Sequence, residues 1–128
     1  MNKTKVRTIL IVDDDVDILN IASECLEHLG HKILVAENGV EALEVARKNG
    51  EPIDLLLTDV IMPKMNGVEL AENLIEKSSS TKVIFMSGYL RPSMNGGQTI
   101  PDYEKGFVMK PFSGKTLSSH VKEVLEEN

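Results

Sequence analysis

Three adjacent carboxylates follow an apolar run near the start of the chain. The residues "ILIV" at 9–12 lead directly into Asp13, Asp14 and Asp15. Two carboxylates about 4 Å apart repel each other by roughly 4 kcal/mol at an effective dielectric constant of about 20, so this cluster needs positive charge beside it. Oxygen ligands that leave room for water suit Mg²⁺, or Mn²⁺. The run therefore predicts a divalent-metal site.

A fourth carboxylate and a lysine would extend this site to phosphoryl transfer. Asp59 ends the run "DLLLTD" at 54–59, and Lys110 ends "GFVMK" at 106–110. A carboxylate beside a bound metal can act as a nucleophile toward phosphorus, and Asp59 is the best candidate. The metal and Lys110 would stabilise charge on the transferring group, and the hydroxyl of Ser87 could hold another of its oxygens.

The composition narrows the classes of protein to which this chain can belong. With 128 residues, 41% of them hydrophobic, we expect one domain over residues 1–128 with a core from about 7 to 126. A net charge of −6 argues against direct binding of nucleic acid, which needs clustered Lys and Arg. The single cysteine excludes an internal disulfide, and residues 1–7 lack the apolar run of a signal peptide or membrane span. These features predict a cytoplasmic domain without membrane contact.

Short apolar runs alternate along the chain with stretches of helical periodicity. The predicted strands are "TILIV" (8–12), "KILVA" (32–36), "DLLLTD" (54–59), "KVIFMS" (82–87) and "GFVMK" (106–110). Apolar strands separated by helices predict an α/β fold, a single doubly wound domain with a five-stranded parallel sheet and helices on both faces. Residues 91–105 contain two prolines and two glycines, so the fourth helix should be short or irregular.

The polar residues named above stand at the ends of the predicted strands. In a doubly wound sheet, ligands bind beyond the carboxyl ends of the strands, where the strand order reverses. The flavodoxin-like order 2-1-3-4-5, borrowed from known members of that fold class, makes the first and third strands neighbours there. Asp13, Asp14 and Asp59 would then converge in one pocket, which Ser87 and Lys110 would reach from strands four and five.

Four segments in this order resemble the receiver domain of two-component response regulators. They are "VDDD" at 12–15, "LLLTDVIMPKMNG" at 55–67, "FMSGY" at 85–89 and "FVMKPF" at 107–112. The likeness covers nearly the whole chain and is greatest to receivers at the C-terminus of hybrid sensor histidine kinases. It implies a domain that takes a phosphoryl group from a histidine kinase or histidine phosphotransfer protein and then changes its surface conformation. Such a domain is not a conventional enzyme, although it catalyses its own phosphorylation and dephosphorylation, and the parent chain could be a histidine kinase.

The resemblance also implies a role for each matching residue. Asp59 matches the phosphoacceptor, and Asp13 and Asp14 match the acidic pair that binds Mg²⁺. The backbone carbonyl of Ile61 would be a further metal ligand, and Lys110 matches the lysine that contacts the phosphoryl group.

Further matching positions concern the conformational switch and local structure. Ser87 matches the hydroxyl that moves toward the phosphoryl group, and Phe107 matches the aromatic residue that couples this movement to the surface. The bond between Lys110 and Pro111 is expected to be cis, and Asp15 is expected to cap the first helix rather than bind metal.

Two bulky residues predict a long-lived phosphoryl group. Ile61 lies two residues beyond Asp59, and Tyr89 lies two residues beyond Ser87. Side chains at these positions border the path of the water that would hydrolyse the acyl phosphate.

Two other functions remain open at this stage. A phosphatase of the haloacid dehalogenase type also uses an aspartate nucleophile and Mg²⁺, but it needs a second aspartate where this chain has Ile61. A degenerate receiver would only bind partners, although the full set of site residues argues against it. The sequence does not indicate the cognate kinase, the output or the oligomeric state.

Overall fold

A computed structural model describes residues 6–87 and 106–126 of the chain. In this part, strands and helices alternate along the first two thirds, and the last strand and helix follow after the gap. They are β1 (Thr8–Val12), α1 (Val16–Glu27), β2 (Lys32–Ala36), α2 (Gly39–Asn49), β3 (Leu55–Asp59), α3 (Gly67–Lys77), β4 (Lys82–Ser87), β5 (Phe107–Met109) and α4 (Gly114–Glu126). The predicted irregular helix within residues 91–105 lies outside the described residues.

The strands form one parallel sheet in the order β2-β1-β3-β4-β5. This is the doubly wound, flavodoxin-like fold that the sequence predicts. Val12 at the end of β1 lies opposite Thr58 near the end of β3, and Thr58 lies opposite Phe85 of β4. The residues that follow β1 and β3 therefore emerge side by side at the carboxyl edge of the sheet.

Each face of the sheet is covered by its own apolar cluster. Alternate residues of β1 serve the two faces: Leu10 and Val12 belong to the cluster with α2 and α3, and Ile9 and Ile11 to the cluster with α1 and α4. All four side chains are fully buried, and burying each contributes about 1.5–3 kcal/mol. Burial on both faces explains why β1 has no polar residue from position 9 to 12.

The helices begin at side-chain caps that the sequence supplies. The side chain of Asp15 accepts a hydrogen bond from the backbone N–H of Asp17, so the predicted cap of the first helix is confirmed. Asn38 caps α2, and Asn66 caps α3 in a reciprocal pair with Glu69. Because α1, α2 and α3 each follow a strand of the parallel sheet, their N-termini lie at the same edge as the carboxyl ends of the strands.

Two glycines are required here by close packing rather than by backbone conformation. A Cβ atom on Gly67 would lie 2.2 Å from the backbone oxygen of Asp59, so α3 begins in direct contact with the end of β3. A Cβ atom on Gly39 would lie 2.8 Å from the Cβ of Met65, which packs the start of α2 against the loop after β3. The Lys110–Pro111 bond is cis, as the family resemblance implied. None of the helices in residues 6–87 and 106–126 has the length and hydropathy of a membrane span.

Candidate functional site

The carboxyl edge of the sheet brings three aspartates together. Each of Asp13, Asp14 and Asp59 offers a carboxylate oxygen, and these oxygens lie within 4.8 Å of one another. Asp13 is buried, Asp59 is largely buried and Asp14 is exposed. A cluster with a buried floor and an exposed rim allows an ion to be held by carboxylates while water fills its remaining positions.

Lys110 lies between two of these carboxylates. Its Nζ is 2.6 Å from Oδ2 of Asp13 and 3.6 Å from Oδ1 of Asp59. The lysine side chain is only 19% exposed, so water screens these contacts weakly. One lysine against three carboxylates leaves the site with an excess of negative charge, which a divalent cation would offset.

Backbone N–H groups hold the two inner carboxylates in place. Oδ1 of Asp13 accepts a hydrogen bond from the N–H of Asp15 at 2.9 Å, and Oδ1 of Asp59 accepts one from the N–H of Val60 at 2.9 Å. The Val60 N–H and the Lys110 ammonium therefore both contact the same oxygen of Asp59, Oδ1. Among residues 6–87 and 106–126, no hydrogen bond or ion pair uses its second oxygen, Oδ2, so this atom is open to a metal or a reacting group.

Burial and crowding change the acidity of the site. Burial, followed by the charge of Asp13, raises the pKa of Asp59 to about 6, although Lys110 and the Val60 N–H oppose the change. Burial also raises the pKa of Asp13, by more than its hydrogen bond to Lys110 lowers it. Burial alone would lower the pKa of Lys110, but the hydrogen bond to Asp13 and the carboxylate charges raise it overall. The lysine stays protonated, and the carboxylates bear an electrostatic cost in the absence of a cation.

The remaining predicted site residues occupy different surroundings. Ser87 ends β4 and is 2% exposed, and its backbone oxygen accepts a hydrogen bond from the N–H of Lys110 at 2.7 Å. Ile61 follows β3 with 52% of its surface exposed. Phe107 begins β5, opposite Phe85, and packs against the cluster on the α2 and α3 face. Tyr89 lies outside the described residues.

Two residues near Asp59 lie within the segment 55–67 that resembles receiver domains, but the sequence assigned neither of them a role. The buried hydroxyl of Thr58 donates a hydrogen bond to the backbone oxygen of Asp59 at 2.9 Å. The N–H of Gly67 donates to the backbone oxygen of Val60 at 2.7 Å. A glycine at a helix start and a threonine inside a strand are ordinary local choices, so only the fold reveals their contact with the site.

Comparison with protein families gives a match over most of the chain. The model described as "Response regulator receiver domain" matches residues 9–122. The chain is 36% identical over 121 residues to the sensor kinase CckA of Brucella abortus, covering 94% of this chain and 13% of that protein. It is 33% identical over 119 residues to the response regulator receiver protein CpdR of the same organism, covering 93% of this chain and 97% of that protein.

Known structures with the same fold include receiver domains. The receiver domain of the hybrid histidine kinase CckA superposes with a TM-score of 0.74 at 35% identity, covering 93% of this chain and 99% of that domain. The chemotaxis protein CheY4 of Vibrio cholerae superposes with a TM-score of 0.76 at 26% identity, covering 94% of this chain and 99% of that chain.

Proposed function

This chain belongs to the response regulator receiver family, a family of phosphoacceptors in two-component signalling, and we propose that Asp59 is the residue that takes up the phosphoryl group. The donor is the phosphohistidine of a histidine kinase or of a histidine phosphotransfer protein. The observation that supports this assignment best is the convergence of three carboxylates and Lys110 at one edge of the sheet.

A divalent cation fits the donor set at this edge. The carboxylates of Asp13, Asp14 and Asp59, with the backbone carbonyl of Ile61, would hold Mg²⁺ or Mn²⁺, since hard oxygen donors suit both ions. Burial first, and the neighbouring carboxylate charges second, raise the pKa values of Asp13 and Asp59, and a bound cation would favour the ionised form of both groups. When bound, the cation would neutralise the site and stabilise charge on the phosphoryl oxygens.

The transfer itself uses groups of this chain. Oδ2 of Asp59 attacks the phosphorus, a new O–P bond forms, and the N–P bond of the donor breaks with its electron pair passing to the imidazole nitrogen. The Val60 N–H holds Oδ1 and so orients the carboxylate for attack. Lys110 turns from Asp13 toward the transferred group, whose added negative charge attracts the ammonium.

Ser87 and Phe107 would then report the phosphorylation to the surface. The hydroxyl of Ser87 would hydrogen-bond a phosphoryl oxygen, and Phe107 would change its packing in response. The buried end of β4 and the partly buried start of β5 support this proposal, because movement at either must displace neighbouring side chains. We also assign the restriction of hydrolysis to Ile61, which lies two residues beyond Asp59 with an exposed side chain, and to Tyr89.

The wider setting of the domain is part of the same proposal. We propose that residues 1–128 form one receiver with its core at about 7–126, acting in the cytoplasm and catalysing its own phosphorylation and dephosphorylation. The CckA match supports an origin in a hybrid kinase, and the near full-length CpdR match supports a separate regulator. A haloacid dehalogenase-type phosphatase is not supported, because Ile61 supplies no general acid.

The test is the intact mass after incubation with acetyl phosphate and Mg²⁺. We expect a gain of one phosphoryl group that is absent with a chelator and labile to hydroxylamine, as an acyl phosphate should be. Asp59→Asn should abolish the gain, and Asp17→Asn, which changes an aspartate in the first turn of α1, should not. A protein that gains no mass with any small phosphodonor would instead be a partner-binding receiver.

A further inference from the structure

The hydroxyl of Thr58 is buried at a position where packing alone would favour an aliphatic side chain. In the parallel register Thr58 lies opposite Val12 of β1 and Phe85 of β4, and both of these residues belong to the apolar cluster on the α2 and α3 face. Thr58 itself is fully buried. A hydroxyl that is removed from water costs free energy unless it makes a hydrogen bond, and valine would fill nearly the same space without that cost. The partner of this hydroxyl therefore indicates its role.

Two acceptors lie within reach of the Thr58 hydroxyl. The backbone oxygen of Asp59 is 2.9 Å from Oγ1, and Sδ of Met62 is 4.0 Å from it. A thioether sulfur is a weak acceptor, whereas a backbone carbonyl is a strong one and is here also the nearer of the two. The single proton of the hydroxyl therefore goes to the carbonyl of Asp59.

This carbonyl belongs to the same peptide group as the N–H that holds the Asp59 carboxylate. The peptide bond between Asp59 and Val60 is planar, so its C=O and its N–H turn together. The N–H has two acceptors, Oδ1 of Asp59 at 2.9 Å and the backbone oxygen of Met86 at 3.3 Å. A rotation of the peptide that shortened the bond to Met86 would lengthen the bond to the carboxylate. The orientation of this one peptide therefore decides how firmly Oδ1 is held.

We propose that Thr58 is a positioning residue for the phosphoacceptor. Its hydroxyl fixes the peptide between Asp59 and Val60, so that the Val60 N–H holds Oδ1 and Oδ2 remains open to the metal and the phosphorus. Gly67 limits movement of the same peptide, since a Cβ atom there would lie only 2.2 Å from the Asp59 backbone oxygen. Thr58 acts only through this peptide and touches no reacting atom. The inference rests on the function proposed above for Asp59.

Three variants separate this role from ordinary stabilisation. Thr58→Val keeps the β-branched shape of threonine and removes the hydroxyl, and Thr58→Ser keeps the hydroxyl. Thr81→Val is the matched control, because Thr81 is also buried and its hydroxyl donates to the backbone oxygen of Ile53 at 2.6 Å. Thr81 and Ile53 precede β4 and β3, at the opposite edge of the sheet from Asp59. Each valine variant therefore loses one buried hydrogen bond to a backbone carbonyl, but only one of these bonds adjoins the site.

The amide proton resonance of Val60 tests the peptide directly, in the full chain without Mg²⁺ or a phosphodonor. A short hydrogen bond to a carboxylate moves an amide proton downfield, so Thr58→Val should shift the Val60 resonance upfield. Thr58→Ser and Thr81→Val should leave this resonance close to its wild-type position. A Val60 resonance that does not move in Thr58→Val would overturn the proposal, whether or not Asp59 accepts a phosphoryl group.

The rate of phosphorylation by acetyl phosphate at saturating Mg²⁺ tests the consequence for the reaction. In Thr58→Val this rate should fall by on the order of tenfold, because small misplacements of a nucleophile lower its rate steeply, and Thr58→Ser should recover most of it. Thr81→Val should react at the wild-type rate despite a similar loss of stability in urea. A wild-type rate in Thr58→Val, or an equal loss in both valine variants, would overturn the proposal. A wild type that takes up no phosphoryl group would instead contradict the proposed function, and the Val60 resonance would still decide the role of Thr58.

Discussion

Replacing Asp59 with asparagine should stabilise the metal-free protein, because the wild-type carboxylate is charged in a site that disfavours charge. The pKa of Asp59 rises from an ordinary value of 3.8 to about 6, which at about 1.36 kcal/mol per pKa unit corresponds to roughly 3 kcal/mol above pH 6. The Asp59 side chain is 14% exposed, so solvent screening reduces this value only moderately. Asparagine keeps an oxygen that can accept the Val60 N–H.

The sign of the pH dependence follows from the direction of the change. The folded protein holds a proton on Asp59 more tightly than the unfolded chain does, so this group favours folding most below pH 3.8 and loses that effect as the pH rises to about 6. Asparagine does not titrate. The free energy of unfolding of the variant should therefore exceed that of the wild type by an amount that grows between pH 4 and 6 and is constant above.

Urea unfolding in the presence of a chelator, at several pH values from 5 to 8, measures this difference. Near neutral pH we expect an increase of about 1–3 kcal/mol, or on the order of 10 °C in Tm at the upper end. Asp17→Asn, an exposed control, should change stability by no more than about 0.5 kcal/mol. Adding Mg²⁺ should reduce or reverse this difference in the free energy of unfolding. The reason is that the wild type gains free energy from binding the ion, and the variant has lost one of the ligands. Equal stability in chelator, or a difference independent of pH, would refute the electrostatic reasoning.

Three further outcomes are expected. Lys110→Ala should destabilise the protein by about 1–3 kcal/mol in urea unfolding, because it leaves the buried Asp13 without its cation. It should also slow phosphorylation, and Lys110→Arg is the charge-conserving control. Unchanged stability would mean that the ion pair between Lys110 and Asp13 contributes nothing to folding. Ile61→Asn should shorten the lifetime of the acyl phosphate several-fold, measured by loss of the added mass after removal of the donor, and an unaltered lifetime would contradict the shielding role. Burial lowers the pKa of His31, whose Nδ1 accepts a hydrogen bond from the backbone N–H of Arg7 at 2.9 Å. The neutral imidazole therefore contributes to stability above pH 6.5, the ordinary pKa of histidine. This contribution is lost as the pH falls through the lower pKa that His31 has in the folded protein. His31→Gln should make the free energy of unfolding depend less on pH below neutral pH. A pH dependence identical to that of the wild type would show that His31 does not contribute to it.

The sequence by itself determined the fold class and which residues stand at the ends of the strands. Every residue of an apolar run such as 9–12 can be buried, on one face of a sheet or the other, and such runs alternate with helical stretches. This alternation predicts a parallel sheet whose two faces are covered by helices. The Asp15 cap could also be predicted, because it depends on neighbours two residues away. These are local properties, which a linear sequence records directly. The strand order was not local and came from the resemblance to known proteins.

Only the tertiary structure decided the relations between residues far apart in the chain. Lys110 is closer to Asp13 than to Asp59, although the sequence suggested a single shared pocket without ranking the two. The raised pKa of Asp59 depends on burial and on the charge of Asp13, and neither can be read from the residues beside it. Gly67 is needed because its Cα lies against the Asp59 carbonyl. Electrostatic energies and packing limits depend on distances of a few ångströms, and those distances exist only once β1, β3 and β5 have assembled in one sheet.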